Sequence, residues 1–233
     1  MQGHDMQESL SIILPVYNEK ENVEKTINDI VRIASRLVRD LEIIAVNDGS
    51  TDSTLFLLER MQINLPQLRI VRHDKNMGYG YALRTGIGAA KNEWILLIDA
   101  DGQYDIGNFG DIWGKKNGYD VVLGYREKRN DSLYRILLGR FGNLLANFIL
   151  KTNVKDINCG FKLFRAEDTK DLKLCSTGGS ISFEIVYRLL KNKKSFAQVP
   201  VRHFKRKEGK QTGGRLKVIL RIVREAVQVV CGR

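Results

Sequence analysis

This sequence has few of the features that mark membrane-spanning, disulfide-rich or linker-joined proteins. It has three prolines, and its three cysteines show no CxxC spacing. No run of eighteen apolar residues occurs, and the first ten residues, MQGHDMQESL, lack the charged and apolar regions of a signal peptide. We therefore expect one cytoplasmic α/β domain without a disulfide framework or a structural zinc site.

Common nucleotide-binding and metal-binding motifs are also missing. No G-x-G-x-x-G follows a strand and no GK[ST] closes a glycine-rich loop, which excludes the dinucleotide-binding and P-loop classes. The three histidines have no metal-ligand spacing, so we expect His73, at a strand end, to be a structural hydrogen-bonding residue. No Q-x-x-R-W motif is present, which disfavours processive polysaccharide synthesis.

The positive charge is concentrated near the C-terminus. Residues 202–233 hold ten Lys/Arg and two Glu, net +8 of the formal +11. An anionic membrane, a phosphate substrate or a nucleic acid would fit such a charge. Phe204 is the only aromatic residue in this stretch, and nucleic-acid binders commonly stack several bases, so we expect no nucleic-acid partner.

The most informative stretch is the apolar run from Trp94 to Ile98, because it ends at two carboxylates. Asp99 and Asp101 follow it, with Gln103 in the next turn. If the strand continues, both carboxylates face the same way, and hard oxygen ligands of this kind suit Mg²⁺ or Mn²⁺ bridging a diphosphate. The alternative is a polar turn in which one carboxylate caps the following helix.

Strands and helices alternate along the first hundred residues, which predicts a Rossmann-like, mostly parallel sheet flanked by helices. We expect a short strand that runs into a Pro-containing turn over 11–19, and further strands at 41–46, 68–72 and 94–98. Helices are expected at 19–38, at 53–63 and from the glycine-rich turn to about 91. Because ligands bind at the carboxyl ends of such strands, one cleft should collect the polar turns. Asp48 is a candidate to accept from a base N–H or a ribose hydroxyl. For Asp52 the alternative is that it serves only as the N-cap of the following helix.

Several motifs, in order, resemble family-2 glycosyltransferases with the GT-A fold: LPVYNEKENV, VNDGSTDST, HDKNMGYGYALRTGI and DADGQYD. Later segments resemble the polyprenyl-phosphate branch, typified by dolichyl-phosphate mannose synthases and bacterial polyprenyl-phosphate glycosyltransferases. These segments are GYR at 124–126, RILLGRFGNLLANFIL at 135–150, VKDINCGFKLFR at 154–165, SFEI at 182–185 and VPVRHFKRKEGKQTGG at 199–214. The resemblance covers residues 10–214.

The resemblance implies a set of site residues. A nucleotide-sugar donor would be held by Pro15, Tyr17, Glu19, Asp48, Asp99, Ala100, Asp101 and Gln103. Within this set, Asp99, Asp101 and Gln103 would bind the metal, and Asp99, Asp101 and Arg126 would be catalytic. The acceptor phosphate would be bound by Arg126, Arg135 and Arg206. Two departures concern this acceptor site: Gly139 replaces a frequent serine, and Gln211-Thr212 replaces a frequent Ser-Lys.

Two amphipathic segments invite opposite interpretations. The apolar stripe at 132–151 is best explained as an ordinary helix packed on the core. We divide the chain into an N-terminal tail at 1–9, a domain at 10–214 and a C-terminal segment at 215–233. The pattern of 215–233 predicts a basic amphipathic helix lying on a membrane surface. A helix docked on the domain or on a partner subunit is the alternative, and the oligomeric state remains open.

Together these features predict inverting transfer of a hexose from a GDP- or UDP-linked sugar to a polyprenyl phosphate, by an enzyme peripherally associated with the membrane. The acceptor phosphate is already ionised near neutral pH, so no general base is required. A soluble hydroxyl acceptor would need one, for which Glu184 or Asp156 are the candidates.

Overall fold

The structure is a computed structural model, and it describes residues 9–128, 133–169, 172–206 and 224–231. Within them lie a seven-stranded sheet and six helices, with 3₁₀ turns at Ile106–Asn108 and Glu167–Thr169. The elements are β1 (Ser9–Val16), α1 (Val23–Ala34), β2 (Asp40–Asp48), α2 (Thr54–Asn64), β3 (Leu68–His73), α3 (Tyr79–Ala89), β4 (Trp94–Leu97), α4 (Phe109–Lys115), β5 (Val121–Arg126), α5 (Leu133–Leu150), β6 (Lys162–Arg165), α6 (Ile181–Lys191) and β7 (Phe196–Val201). A further helical segment covers 224–230.

The sheet has the strand order β3-β2-β1-β4-β6-β5-β7 and is mostly parallel, as the sequence predicts. β6 alone runs antiparallel to its two neighbours, β4 and β5. The four predicted strands therefore form one half of the sheet, while β5, β6 and β7 extend it on the far side of β4. Because β1, β2 and β4 are parallel, their carboxyl ends meet at one edge.

Both faces of the sheet are covered, which explains the nearly continuous apolar strands. On β1, Ile12 and Leu14 pack on the layer that contains α1, α2 and α4, whereas Ile13 packs on the layer that contains α3 and α6. The same alternation separates Leu96 from Leu97 on β4. The residues that follow these rigid strands are consequently held in fixed positions at the edge.

The helix predicted at 132–151 exists as α5, but the prediction that it packs on the core is wrong for most of its apolar stripe. Exposed side chains include Leu137, Phe141, Leu144, Leu145 and Phe148. Among the described side chains of α5 only Ala146 is buried. The periodicity revealed an apolar face correctly, but periodicity does not say which face of a helix meets the protein.

The described part of the C-terminal segment, 224–231, shows the docked alternative. Val229 is 4% exposed, and Ala226 and Val230 pack against the same core layer. The carboxylate of Glu225 accepts hydrogen bonds from Thr177 Oγ1 at 3.1 Å and from the hydroxyl of Ser180. The expectation of an apolar face free for a membrane is therefore wrong for Ala226 and Val230, whereas Val227 on the same predicted face is exposed. Residues 215–223 lie outside the described part.

Within the described ranges, no helix has both the length and the apolar character needed to cross a membrane.

Candidate active site

The paired carboxylates lie in a turn that follows β4. The strand ends at Leu97, two residues before Asp99, so the alternation expected from a continuing strand does not apply. Gly102 has a φ of +70°, and the amide of Gln103 donates to Asp101 Oδ1 at 3.1 Å. The two carboxylates nevertheless interact. Burial, and after it the negative charge of Asp99, raises the pKa of Asp101 to about 7.

Asp99 is held between α3 and β6. Its Oδ1 accepts a hydrogen bond from the hydroxyl of Tyr79 at 2.7 Å. A Cβ added at Gly160 would lie 2.4 Å from Asp99 Oδ2, so only glycine permits this approach. Burial raises the pKa of Asp99, while the Tyr79 hydrogen bond and the charge of Lys162 act in the opposite direction.

Lys162 is a buried cation behind the carboxylates. Its side chain is 1% exposed, and Nζ donates to the carbonyl of Cys159. Burial lowers its pKa, and the nearby charges of Cys159, Asp156 and Asp99 oppose that shift. Lys162 therefore supplies positive charge to the interior side of Asp99.

Arg206 connects Asp101 with Glu19 across the cleft. Its Nη2 donates to Glu19 Oε1 at 2.6 Å, and its Nη1 lies 3.5 Å from Asp101 Oδ2. The resemblance predicts acceptor-phosphate binding for Arg206, and this role stays a prediction. In the present arrangement its guanidinium provides a cation to two carboxylates of the donor site.

The segment that carries Arg206 is joined to the Asp101 turn by a short ladder. The amide of Phe204 donates to the Gln103 carbonyl at 2.7 Å, and Gln103 Nε2 donates to the Phe204 carbonyl at 3.1 Å. Tyr104 and His203 form an isolated β-bridge. The predicted metal-binding role of Gln103 remains a prediction, and its amide nitrogen here fixes the basic segment.

A cleft of about 760 Å³ opens beside these residues. A nucleotide sugar is compatible with a site of this size. Tyr17 is 40% exposed after β1, Pro15 is half-buried within that strand, and the carbonyl of Ala100 accepts from Thr26 Oγ1 at 3.3 Å. The cleft is lined by Asn22, Lys25, Thr26, Asp101, Gly102, Phe204, Lys205 and Arg206.

Asp48 ends β2 and organises the next loop. Its Oδ1 and Oδ2 accept from the amides of Met77 and Gly78, both at 2.9 Å. His73 Nδ1 lies 2.7 Å from Asp48 Oδ1, and its Nε2 lies 3.0 Å from Thr85 Oγ1, which confirms the structural role expected for this histidine. The predicted contact of Asp48 with a nucleoside stays a prediction.

Asp52 contacts the start of the next helix, but the N-cap residue of α2 is Ser53, so Asp52 does not occupy the N-cap position expected as its alternative role. Its Oδ1 accepts from the amide of Thr54 at 2.9 Å, at the start of α2.

Arg126 ends β5 and is paired with Asp156. Its Nε and Nη2 donate to Asp156 Oδ2 and Oδ1 at 2.6 and 2.9 Å. Their side chains are only 9% and 12% exposed, and the bonds from Asp156 raise the pKa of Arg126 against the effect of burial. Arg135 lies in the first turn of α5, with its side chain outside the described part.

Glu184 is buried in a structural role. Its carboxylate accepts from the amides of Cys175 and Ser176 and from Arg188 Nε. Burial alone would raise the pKa of Glu184, but these hydrogen bonds lower it overall. Both carboxylate oxygens of Asp156 accept hydrogen bonds from Arg126. Neither Glu184 nor Asp156 is therefore placed to act as a general base for a hydroxyl acceptor.

The metal-binding expectation fits the kind of groups present. Among the residues that the structure describes, no set of three or more His, Cys, Asp or Glu side chains forms a protein-only metal cage. Asp99 and Asp101 offer hard oxygen atoms, and Mg²⁺ characteristically takes one or two carboxylates together with waters and substrate phosphates. The raised pKa of Asp101 marks a carboxylate whose charge lacks full compensation.

Sequence reasoning missed Tyr79, Tyr104, Gly160 and Lys162 as parts of this site. Tyr104 accepts from the Gly160 amide at 2.7 Å and so helps to position the residue that contacts Asp99. Gly160 and Lys162 lie within the motif VKDINCGFKLFR, which was the signal available. Only the antiparallel insertion of β6 beside β4 brings that motif to the carboxylates.

The sequence profile of Glycosyl transferase family 2 matches residues 11–173. The chain belongs to this family. It is 32% identical over 174 residues to a dolichyl-phosphate beta-glucosyltransferase of Trichomonas vaginalis, covering 67% of this chain and 52% of the relative. It is 27% identical over 219 residues to the undecaprenyl-phosphate 4-deoxy-4-formamido-L-arabinose transferase of Edwardsiella ictaluri, covering 90% and 64%.

The chain thus spans about half the length of several curated relatives that it matches. Among solved structures, it resembles glucosyl-3-phosphoglycerate synthase from Mycobacterium tuberculosis in complex with Mn²⁺ and UDP-glucose. That comparison has a TM-score of 0.72 and 20% identity, over 97% of this chain and 79% of the other. The likeness confirms the GT-A fold expected from the sequence.

Proposed function

We propose that this chain transfers a hexose from a nucleoside-diphosphate sugar, GDP- or UDP-linked, to a polyprenyl phosphate at a membrane surface, with inversion at the anomeric carbon. The observation that carries this proposal is the turn after β4, where Asp101 lines the cleft, interacts with the charge of Asp99 and lies beside Arg206, the partner of Glu19. Relatives named as dolichyl- and undecaprenyl-phosphate sugar transferases support the lipid acceptor.

The acidic residues are proposed to bind the metal, and the residues around them are proposed to position Asp99 and to bind the nucleoside. Asp99 and Asp101, with Gln103 nearby, would hold Mg²⁺ or Mn²⁺, which would stabilise the negative charge that develops on the departing diphosphate. Tyr79, Gly160 and Lys162 keep Asp99 in position. Tyr17 and Pro15 stand at the end of β1, where a nucleoside would bind, with Asp48 at the end of β2.

Basic residues are required because two anions have to approach each other. With a metal ion at Asp101, the guanidinium of Arg206 would be available to bind the acceptor phosphate, and Arg126 and Arg135 would supply further positive charge. A guanidinium remains ionised at all accessible pH and binds phosphate through two donors. The phosphate oxygen then attacks the anomeric carbon and the nucleoside diphosphate leaves.

The side chains available as bases favour a phosphate over a hydroxyl acceptor. A hydroxyl must lose its proton, whereas a phosphate oxygen is ionised near neutral pH. Glu184 is bound to two amides and an arginine, and Asp156 is bound to Arg126. These contacts support an acceptor that needs no general base.

A panel assay tests the proposal. The chain is incubated with GDP- and UDP-linked hexoses, polyprenyl phosphate and either Mn²⁺ or Mg²⁺, and the lipid fraction is analysed for sugar. We expect one donor to be transferred in a metal-dependent manner. Absence of lipid-linked sugar with every donor would contradict the proposed function.

A further inference from the structure

Among its described side chains, helix α5 presents most of the large apolar ones to solvent and two asparagines to the protein. The outward side chains are 43% to 82% exposed: Leu137, Phe141, Leu144, Leu145, Phe148 and Ile149. On the inward face, Asn143 Nδ2 donates to the Val154 carbonyl at 2.7 Å, and Asn147 Oδ1 accepts from the Val154 amide at 2.8 Å. This distribution is the reverse of that expected for a surface helix in water.

The exposed apolar residues of α5 adjoin one another and form one continuous apolar surface. They lie at successive i, i+3 and i+4 positions over three turns, so neighbouring side chains adjoin. On α2, by contrast, Phe56 and Ile63 are 61% and 81% exposed but stand seven residues apart. Contiguous apolar patches of this kind mark interaction sites, whereas single exposed apolar residues do not.

The charges around the patch favour an anionic surface as its partner. Residues 133–151 contain no Asp or Glu. Arg140 is exposed on the outward face, Lys151 is exposed beyond its C-terminal end, and Lys155 is exposed in the following loop. A second copy related by a two-fold axis would tend to bring these cations together, while an anionic bilayer attracts each of them.

The inward face of the same helix contacts a loop of the candidate active site. Asn143 accepts from the Ile157 amide at 2.9 Å and donates to the carbonyls of Val154 and Lys155. These bonds fix the loop that contains Asp156, the partner of Arg126. A bilayer against α5 would therefore adjoin the side of the cleft assigned to the acceptor.

We propose that α5 is the membrane-docking element of this protein, lying parallel to an anionic bilayer with its phenylalanine and leucine side chains inserted. The consequence for acceptor delivery rests on the proposed function, whereas bilayer binding itself does not. At 18 residues the helix is about 27 Å long, and its exposed apolar side chains extend about two turns before Leu144 and about one and a half turns after it.

Vesicle binding tests this proposal with two matched double variants of the full chain. Phe141→Glu with Phe148→Glu alters the patch, and Phe56→Glu with Ile63→Glu adds the same two charges on α2. We expect the α5 pair to lower the apparent partition coefficient for vesicles of about one-third anionic lipid by at least about tenfold. The α2 pair should retain wild-type binding, and circular dichroism verifies that both variants fold.

A tryptophan at the patch reports insertion directly. Trp94 and Trp113 are 2% and 5% exposed, so Phe148→Trp adds a distinct, exposed fluorophore. We expect its emission to shift to shorter wavelength on vesicle addition and to be quenched by brominated lipid. Emission that is already blue-shifted without vesicles and insensitive to brominated lipid would place the patch under another segment or a second copy, and would overturn the proposal.

Further outcomes separate docking from catalysis. Equal vesicle binding by wild type and the α5 variant, or a wild type that does not bind, overturns the docking proposal. Transfer to a short, water-soluble prenyl phosphate should survive in the α5 variant while transfer to vesicle-borne polyprenyl phosphate falls. Normal docking without transfer to either acceptor would contradict the proposed function and leave the docking element standing.

Discussion

The residues proposed to bind the donor and those proposed to bind the acceptor are held differently. In the proposed donor site, Asp48 and Asp101 lie at or just after the ends of parallel strands and accept hydrogen bonds from backbone amides. In the proposed acceptor site, Arg126 and Arg206 are positioned by other charged side chains, Asp156 and Glu19. Backbone contacts fix the donor carboxylates whatever is bound, while ion pairs can exchange one anion for another. The difference suggests a fixed donor site facing arginines that can change partners.

The largest effect is expected from Asp101→Asn, which removes a donor-side charge without creating a cavity. We expect metal-dependent transfer to fall by at least about 10³-fold, because a hard oxygen ligand and its charge are lost. Turnover is measured with the best donor, and Asp111→Asn, at an exposed position on α4, serves as the control. Near-normal turnover in Asp101→Asn would disprove the metal assignment.

On the acceptor side, Arg126→Ala should lower both stability and activity. It leaves Asp156 buried without its two-pronged partner, which costs about 3 kcal/mol of unfolding free energy in comparable pairs. Urea denaturation measures that loss, and Asp156→Asn is the companion variant. If Arg126 also contacts phosphate, Arg126→Ala loses more turnover than Asp156→Asn; equal turnover in the two variants would restrict Arg126 to a structural role.

Arg206→Ala tests whether Arg206 competes with the metal, because its guanidinium contacts both Glu19 and Asp101. Removing its charge from Asp101 should tighten Mn²⁺ binding by about three- to tenfold, since one cation no longer competes with another. The same variant should raise the KM for the lipid phosphate more than that for the donor. Calorimetry measures Mn²⁺ binding, with Arg202→Ala, whose side chain is 75% exposed, as the control. Unchanged Mn²⁺ affinity would show that the observed ion pairs do not compete with the metal.

The effect of pH on the stability of the protein should be smaller and should follow the ionisation of Asp101. Burial and the charge of Asp99 raise its pKa to about 7, so the folded protein retains a proton that the unfolded chain releases near pH 4. This contribution to stability is present in acid and is lost as pH rises toward 7. Asp101→Asn should abolish that loss, and Mn²⁺ binding below pH 7 should release a proton. Identical pH profiles of thermal unfolding in the variant and the wild type would contradict this account.

The C-terminal segment gives the smallest expected effect. Val229→Ala should destabilise the protein by about 1–2 kcal/mol, because the side chain is buried against the core. Val227→Ala, at a position that is 56% exposed, should change stability by less than about 0.5 kcal/mol. Chemical denaturation compares them, and equal effects would argue against docking of 224–231.

The sequence predicted β4 and the polar turn after it because the signal for both is local. A buried apolar strand followed directly by polar residues predicts both β4 and the position of Asp99. The acceptor side depends on contacts between distant segments: β6 inserts antiparallel beside β4, and Arg206 lies 187 residues from Glu19. No local pattern contains that information.

The two amphipathic helices show the same limit. Most of the described apolar stripe of α5 was expected on the core but faces outward, while Ala226 and Val230 of the C-terminal segment were expected on a membrane but pack on the domain. Periodicity identifies an apolar face in both. Which surface that face meets depends on the remaining contacts of the helix, such as those of Asn143 and Glu225.

The most direct test of the central claim compares polyprenyl phosphate with the corresponding polyprenol under the same donor and metal. Mass spectrometry of the lipid fraction and analysis of anomeric configuration identify the product. We predict a hexosyl phosphate lipid of inverted configuration from polyprenyl phosphate and no product from polyprenol. Equal glycosylation of polyprenol, or donor consumption without a sugar–phosphate bond, would contradict a phosphate nucleophile acting at this site.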